Sequence, residues 1–308
     1  MTGEKIGPIE IIMGEKQSRA PYSTTLLIRG RQGSTLIDCG GGPAVYAYLR
    51  EQNIRQILLT HFHPDHTSGA ALFPEAQVLT NPFDYGRLLN QAKREADDSP
   101  YRPVGPIQLI YPYHQLMTVS ETKLLMIHAP GHSDGFCCPY FPDLGVLMVG
   151  DIDLTSFGPW YFGPDSDIDQ FIQSAQQTLE VDAKYFVTSH QKGMFELADY
   201  RQKLPQYLEI IEQREARLKQ AVKRGCSPGE LVYENIIYYA DNVRQTPWIL
   251  RNEQMGLAKH LLRLIDHGEP YADYYAEFMQ AHRLQREQIR QLHQPSWYGR
   301  DWKGANQK

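Results

Sequence analysis

The chain is poor in cysteine: four residues in 308, Cys39, Cys137, Cys138 and Cys226. Their spacing is irregular and no CxxC pair occurs, which excludes a disulfide framework and a thiolate zinc knuckle. Adjacent Cys137 and Cys138 would bridge one another only with strain. Buried free thiols in a reducing compartment are the expectation. Long apolar runs are also missing. Nothing approaches the roughly 20 residues of a membrane span, and the opening "MTGEKIGPIEIIMGEK" lacks the apolar core of a secretion signal. The expectation is a cytoplasmic protein with no membrane partner. Positive charge is not in excess: 31 Lys and Arg stand against 36 Asp and Glu. That argues against a dedicated nucleic-acid binder, though a local patch can hide in an acidic total. Repeats and low-complexity tracts are absent too. The length admits one large α/β domain, or a domain with an appendage.

Short apolar runs separated by turn residues predict strands at 9–14, 24–30, 34–42, 56–60, 76–80, 107–112, 124–131, 136–141, 146–151 and 184–189. Helical spacing predicts helices at 44–52, 84–98 and 167–180. After about residue 195 the composition changes. A long charged helix, bent near Pro205, is expected to precede a helix opening at Ser227-Pro228. Another, capped by Asn252, should stop at Gly268. A last helix should run from Ala272 to about Leu292, before an end bearing Trp297, Tyr298 and Trp302. The chain divides on this reading into a strand-rich body, 1–199, and a helical part, 200–308.

The stretch "LLTHFHPDHTSG", 58–69, puts three histidines and an aspartate into six positions. In an extended segment alternate side chains share a face, so His61 and His63 point the same way about 7 Å apart. Asp65 and His66 follow Pro64, where the chain turns, and can aim at a second point nearby. One short stretch can thus serve two adjacent cations. More ligands must return from elsewhere. Three further runs end on a ligand-type residue: "LLMIHAPGH" on His132, "VLMVGD" on Asp151 and "YFVTSH" on His190. Strand ends meet along one sheet edge, where α/β folds commonly bind ligands. A single histidine after a strand is usually a hydrogen-bonded structural residue, and "GD" is usually a turn. A packed trio of imidazoles is not explained that way.

His61-Phe62-His63-Pro64-Asp65-His66, with Pro130-Gly131-His132-Ser133, Gly150-Asp151 and Ser189-His190, resembles the metallo-β-lactamase superfamily over about residues 8–195. The resemblance implies an α/β fold, an αββα metallo-β-lactamase sandwich, with a C-terminal all-helical appendage beyond it. It implies that His61, His63 and His132 hold a first metal, that Asp65, His66 and His190 hold a second, and that Asp151 bridges them. Asp38 in "LIDCGGG" then supports the ligands from behind. Where relatives often carry Gly-His-Gly, this chain has Ser189-His190-Gln191. The tail is similar to a winged-helix-like appendage found on one branch.

Two neighbouring cations acidify a bridging water, yield hydroxide at neutral pH and polarise the group under attack. Asp65 is the candidate proton acceptor. Zinc is the first expectation for the two divalent metal ions, with iron or manganese as alternatives, because no cysteine joins the set. Trp160 and Tyr161 are candidates to line the substrate pocket, though a structural aromatic loop is the commoner role. His128, His260 and His267 are read as packing or surface residues. The expected activity is a hydrolase of an ester, thioester or lactone of a small molecule. The alternative is a phosphodiesterase or endoribonuclease, for which "REARLKQAVKRG" could contact phosphates. A diiron oxidoreductase ranks below both, as does a non-catalytic effector. The substrate and the oligomeric state stay open.

Overall fold

The computed structural model describes residues 3–92 and 107–289. Its first half runs β1 (Glu4–Ile6), β2 (Ile9–Ile12), α1 (Glu15–Ser18), β3 (Thr25–Ile28), β4 (Ser34–Ile37), α2 (Pro43–Leu49), β5 (Ile54–Leu58), α3 (Pro64–Thr67), β6 (Gln77–Thr80), α4 (Tyr85–Ala92) and β7 (Ile107–Ile110). Then come β8 (Leu116–Val119), β9 (Thr122–His128), β10 (Cys137–Phe141), β11 (Val146–Gly150), α5 (Ile168–Gln177), β12 (Tyr185–Thr188) and β13 (Met194–Glu196). Five helices finish the described chain: α6 (Leu197–Lys223), α7 (Ala240–Gln245), α8 (Pro247–Asp266), α9 (Ala272–Ala281) and α10 (Arg286–Ile289).

β1 to β7 form one sheet in sequence order, and a second follows the order β13-β12-β11-β10-β9-β8. Alternation along each strand feeds two cores. Ile37 of β4 and Met148 of β11 face each other's sheet in a shared core with Leu26, Leu58, Met126 and Val187. Leu36 points the opposite way, onto Val45 and Leu49 of α2. Leu147 and Val149 likewise point outward, onto Phe171 of α5 and Tyr200 and Leu204 of α6. The layers are therefore α, β, β, α, as the strand pattern and the resemblance implied. Each fully buried Leu or Ile contributes about 1.5–3 kcal/mol.

A fourth core joins the body to the helical part, with Tyr161, Phe162 and Ile168 packed among Ile211, Leu257, Leu261 and Phe278. Among the described residues after Glu196 no strand occurs, so the β-hairpin that would make a winged helix is not found there.

Ten predicted strands are present, and β1, β8 and β13 are additional. Those three are outermost in their sheets and only three or four residues long, too short for an alternating pattern to stand out in the sequence. The helix expected from Ser227 is replaced by one 3₁₀ turn, Leu231–Tyr233. Tertiary partners take its backbone groups instead. The Ile237 and Tyr238 amides donate to the Glu253 carboxylate at 3.2 and 2.8 Å, and the Ile236 carbonyl accepts two bonds from Arg217. Asn252 does not cap α8, which begins five residues earlier at Pro247; Gly268, with φ +86°, ends it as expected. The final helix breaks at His282 and Arg283, the latter at φ +51°. Residues 93–98 of the predicted 84–98 helix, the 290–292 end of the last helix, and Trp297, Tyr298 and Trp302 lie outside the described residues. The cysteines are free, with Cys39, Cys137 and Cys138 buried and Cys226 half-buried.

Candidate metal centre

The parallel pairs β4–β5 and β11–β12 deliver their C-terminal ends to one edge of the sandwich. Asp38 follows β4, His61 follows β5, Asp151 follows β11 and His190 follows β12. β9 runs parallel in direction to β11, since both are antiparallel to β10, so the loop carrying His132 leaves at the same edge. Two glycines let these loops close. A Cβ on Gly40 would lie 1.4 Å from the Asp65 carbonyl oxygen, and one on Gly131 would lie 2.1 Å from the Phe171 amide nitrogen. The His132 loop thus rests on the first turn of α5, whose cap Asp167 accepts from the Gln170 amide and donates its own amide to the Gly131 carbonyl.

The structure brings the sequence-predicted residues into two adjoining groups, His61, His63, His132 and Asp151, then Asp65, His66 and His190. His61 Nε2 and His132 Nε2 each stand 2.9 Å from His63 Nδ1, and 3.2 Å from one another. Asp151 lies between the groups. Its Oδ2 is 3.0 Å from His132 Nε2 and 3.7 Å from His190 Nε2, while Oδ1 is 3.1 Å from His66 Nε2. Asp65 Oδ2 is 3.5 Å from His190 Nε2.

Outside this ring of atoms, four imidazoles have the other nitrogen beside an acceptor. His66 Nδ1 donates to Asp38 Oδ2 at 2.7 Å, His132 Nδ1 to the Trp160 carbonyl at 3.0 Å, and His190 Nδ1 to the Ser18 carbonyl at 2.7 Å. His61 Nδ1 faces Thr60 Oγ1 at 3.1 Å; that hydroxyl is committed as a donor to Asp38 Oδ2 and so accepts from the ring. Each outer acceptor holds the outer nitrogen as the N–H, so the inner Nε2 can present a lone pair to a cation. Four such nitrogens and two carboxylates facing one another call for positive charge between them, from protons or from cations. His66 Nε2 and Asp151 Oδ1 are buried and face each other at 3.1 Å. Tetrahedral ligands at about 2.0–2.1 Å from zinc stand roughly 3.3 Å apart, close to the spacing of the His61, His63 and His132 nitrogens. The donor set therefore fits divalent cations.

The electrostatics agree. Burial, then the neighbouring His66 and His63 rings, push His61 well below the usual imidazole range. Burial and His132 take His63 down to about 3. Burial opposes charge on His66 and His190 as well, but Asp151 overrides it, helped by Asp38 at His66 and by Asp65 at His190. His66 is driven well above the ordinary value and His190 to about 9. Burial would raise the Asp151 carboxyl; His66, His132 and His190 hold it well below the carboxylate range instead.

Trp160 is half-buried, with its ring 5.2 Å from that of His63 and 5.4 Å from that of His132. Tyr161, expected beside Trp160 as a pocket-lining residue, is fully buried. Its hydroxyl accepts from Arg214 Nη1 and faces His260 Nε2, both at 2.7 Å. His260 is a buried packing residue, and His128 stacks with Phe83 and with Tyr113. Thr60, directly before His61, joins Asp38 to that ring and was recoverable from the "LLTHFH" motif. The Ser18 and Trp160 carbonyls carry no sequence signal, because every residue has one. Ser18 sits in a left-handed turn, with Lys16, Gln17 and Ser18 at φ 51°, 58° and 53°, a conformation L-residues rarely hold in succession.

Against Gly135, in the loop that carries His132, lies another acid that sequence reasoning passed over. Asp84 Oδ2 accepts from Asn81 Nδ2 at 2.7 Å, while its Oδ1 is buried without a partner. Burial, only partly offset by Asn81 and Arg87, pushes this carboxyl from 3.8 up to about 7. The folded state keeps the proton longer than the unfolded chain does, so stability is full below about pH 4 and falls as pH rises to about 7. Asp84→Asn should remove that fall. The gap between variant and wild type is expected to widen by roughly 4 kcal/mol between pH 4 and pH 8, read from urea midpoints; parallel profiles would show that Asp84 is already ionised.

The metallo-beta-lactamase superfamily model matches residues 19–190. The acyl-coenzyme A thioesterase MBLAC2 of Gallus gallus is 26% identical over 201 residues, covering 56% of this chain and 72% of that protein. The atrochrysone carboxyl ACP thioesterase of Passalora fulva is 26% identical over 238 residues, or 71% of this chain and 63% of the relative. The chain thus spans somewhat under two thirds of the second relative's length. The crystal structure of a metallo-beta-lactamase family protein from Thermus thermophilus superposes with a TM-score of 0.61 at 19% identity, over 84% of this chain and 93% of that one, a likeness of fold. With a match across more than half its length and that fold, the chain belongs to the metallo-β-lactamase superfamily.

Proposed function

We propose that this metal-dependent hydrolase works with two divalent cations and cleaves a thioester, or a related ester or lactone, of a small organic molecule. On this reading His61, His63 and His132 hold the first cation, Asp65, His66 and His190 the second, and Asp151 is shared. The observation that carries it is the inward convergence of lone pairs whose rings are tied outward to Asp38, Thr60, Trp160 and Ser18. Zinc is the first choice and iron or manganese the alternatives, because imidazole and carboxylate suit all three. Two relatives named as thioesterases favour the thioester over other acyl groups.

When bound, the metal pair supplies Lewis acidity and acidifies water. The chain supplies the rest. Asp65, the more exposed of the two acids, accepts the proton of the attacking water and returns it to the departing sulfur or oxygen. Asp151, kept ionised by three imidazoles, balances charge between the groups. The Trp160 ring forms an apolar wall against His63 and His132 and keeps bulk water from that side of the acyl group.

The phosphodiesterase reading draws on the basic stretch at 214–225, but four of its five cations are engaged within the fold. Arg214 is buried, Arg217 holds the Ile236 carbonyl, Lys219 pairs with Glu269 and Arg224 with Glu234. It is therefore ranked second.

Metal analysis followed by an acyl-thioester, ester and lactone panel tests the proposal. Turnover of thioesters by the metal-loaded protein is expected, with His63→Ala losing roughly 100-fold or more while its melting stays cooperative. Silence across the panel at full metal occupancy, or an active His63→Ala, would overturn it.

A further inference from the structure

The largest fully buried side chain is a cation. Arg214, on α6, is 1% exposed, and its direct partners are two carbonyls and a phenol, with no carboxylate among the described residues. Nη1 donates to the Pro159 carbonyl at 2.7 Å and to Tyr161 Oη at 2.7 Å, and Nη2 donates to the Phe157 carbonyl at 2.6 Å. The guanidinium also lies over the Phe157 ring, 4.9 Å from its centroid. A buried charge with no carboxylate in direct contact is expensive unless its donors are engaged, and here three of them close on one segment, 157–161.

Trp160 sits between the tethered residues. Its carbonyl is the acceptor for His132 Nδ1. Arg214 grips the chain one residue before Trp160 and one residue after it, so rotation of the Trp160 peptide is blocked from both sides. From Tyr161 the bonds run on in one direction. Its hydroxyl, having accepted from Arg214, donates to His260 Nε2; His260 Nδ1 donates to Glu215 Oε1 at 3.1 Å; and that oxygen also accepts from Arg263 at 2.6 Å. The loop behind His132 is thereby referenced to α6 and α8.

We propose that Arg214 is a positioning residue which, by clamping the 157–161 segment, sets the Trp160 carbonyl that orients His132, and so tunes cation affinity at the first position from the helical part of the chain. This rests on the two-cation reading above. A ring whose outer N–H loses its acceptor can swing or change tautomer and present N–H where a lone pair is needed. Lysine cannot reproduce three donors in a planar fork.

The test is metal titration of Arg214→Lys and Arg214→Ala with Co(II), following the visible spectrum and stoichiometry, with thermal melting in parallel. The first cation is expected to weaken by about 10- to 100-fold, with an altered Co(II) spectrum, while the second keeps its affinity. Guanidinium ion at millimolar concentration should restore the spectrum of Arg214→Ala. Tyr161→Phe keeps the buried carbons and both carbonyl clamps, at Phe157 and Pro159, and loses only the tether after Trp160; it should weaken the first cation by a smaller factor, and it carries the test if the arginine variants do not fold. A lowered melting temperature with both affinities and the spectrum unchanged would make Arg214 merely structural and overturn the inference. A wild-type chain that binds no second cation would overturn the two-cation reading instead.

Discussion

Stripping the metal-loaded protein with a chelator is expected to lower its stability by about 5 kcal/mol, or on the order of 10 °C in melting midpoint. The figure follows from two sites, each contributing about 2.7 kcal/mol when free metal is 100-fold above its dissociation constant, and from the melting response of a chain this size. The physical origin is local. The inner nitrogens of His61, His63 and His132 crowd within 3.2 Å of one another, and the outer partners of His61 and His132 prevent those two rings from turning away. Stripping the cations also changes proton occupancy. Without metal, Asp151 drives His66 well above the usual imidazole range and His190 to about 9, so both carry protons at pH 7 and Asp151 does not. Binding must expel those protons. About two should be released at neutral pH, read as heat differences between buffers of unlike ionisation enthalpy, and apparent affinity should rise with pH. In the stripped protein the sign for His190 is the usual one for a raised imidazole. Its contribution is full below its unfolded value near 6.5 and is lost as pH rises through about 9. Equal melting with and without chelator would mean that no cation occupies the cluster.

Asp38→Asn is expected to leave one cation per chain rather than two, and to lower turnover by roughly 10- to 100-fold. Asp38 is fully buried and has φ +57°, a conformation that asparagine tolerates and alanine does not. Its Oδ1 accepts the Thr60 amide, and its Oδ2 accepts both Thr60 Oγ1 and His66 Nδ1. An amide keeps the first bond and puts an NH₂ where the other two donors point. The Thr60 hydroxyl can rotate, but His66 can relieve the conflict only by moving its proton to Nε2, the atom facing Asp151 Oδ1 at 3.1 Å. That nitrogen then ceases to be a ligand. The first group keeps the Trp160 carbonyl behind His132. Asp38→Ala should be worse in a different way: it strands buried donors at about 1–3 kcal/mol each and is expected to lower stability outright. Metal counts by emission spectrometry and thioester turnover read the first variant, and urea unfolding the second. Two tightly held metals in Asp38→Asn would remove the tautomer argument.

The tail shows where local reading stops. Ser227-Pro228 with Glu230 has the chemistry of a helix start, and residues 227–239 are nonetheless nearly helix-free. Glu253 and Arg217 compete for the same backbone groups and win because they come from packed elements already in place. Tyr161 is a similar case. Adjacent to a half-buried tryptophan, in a run of aromatics, nothing local distinguishes the residue that faces the centre from the one whose hydroxyl is bound by Arg214.

Apolar alternation was enough to read the two sheets from the amino-acid order, and placement at strand ends was enough to pick out the ligand-type residues. Both depend on side-chain identity at short range, which a string of letters records. Which nitrogen of each imidazole turns inward was settled only by folding. That choice belongs to acceptors such as the Ser18 carbonyl, 172 positions from His190, and the Trp160 carbonyl behind His132. A carbonyl is the same chemical group at every residue, so only the folded path of the chain can say which one a histidine meets.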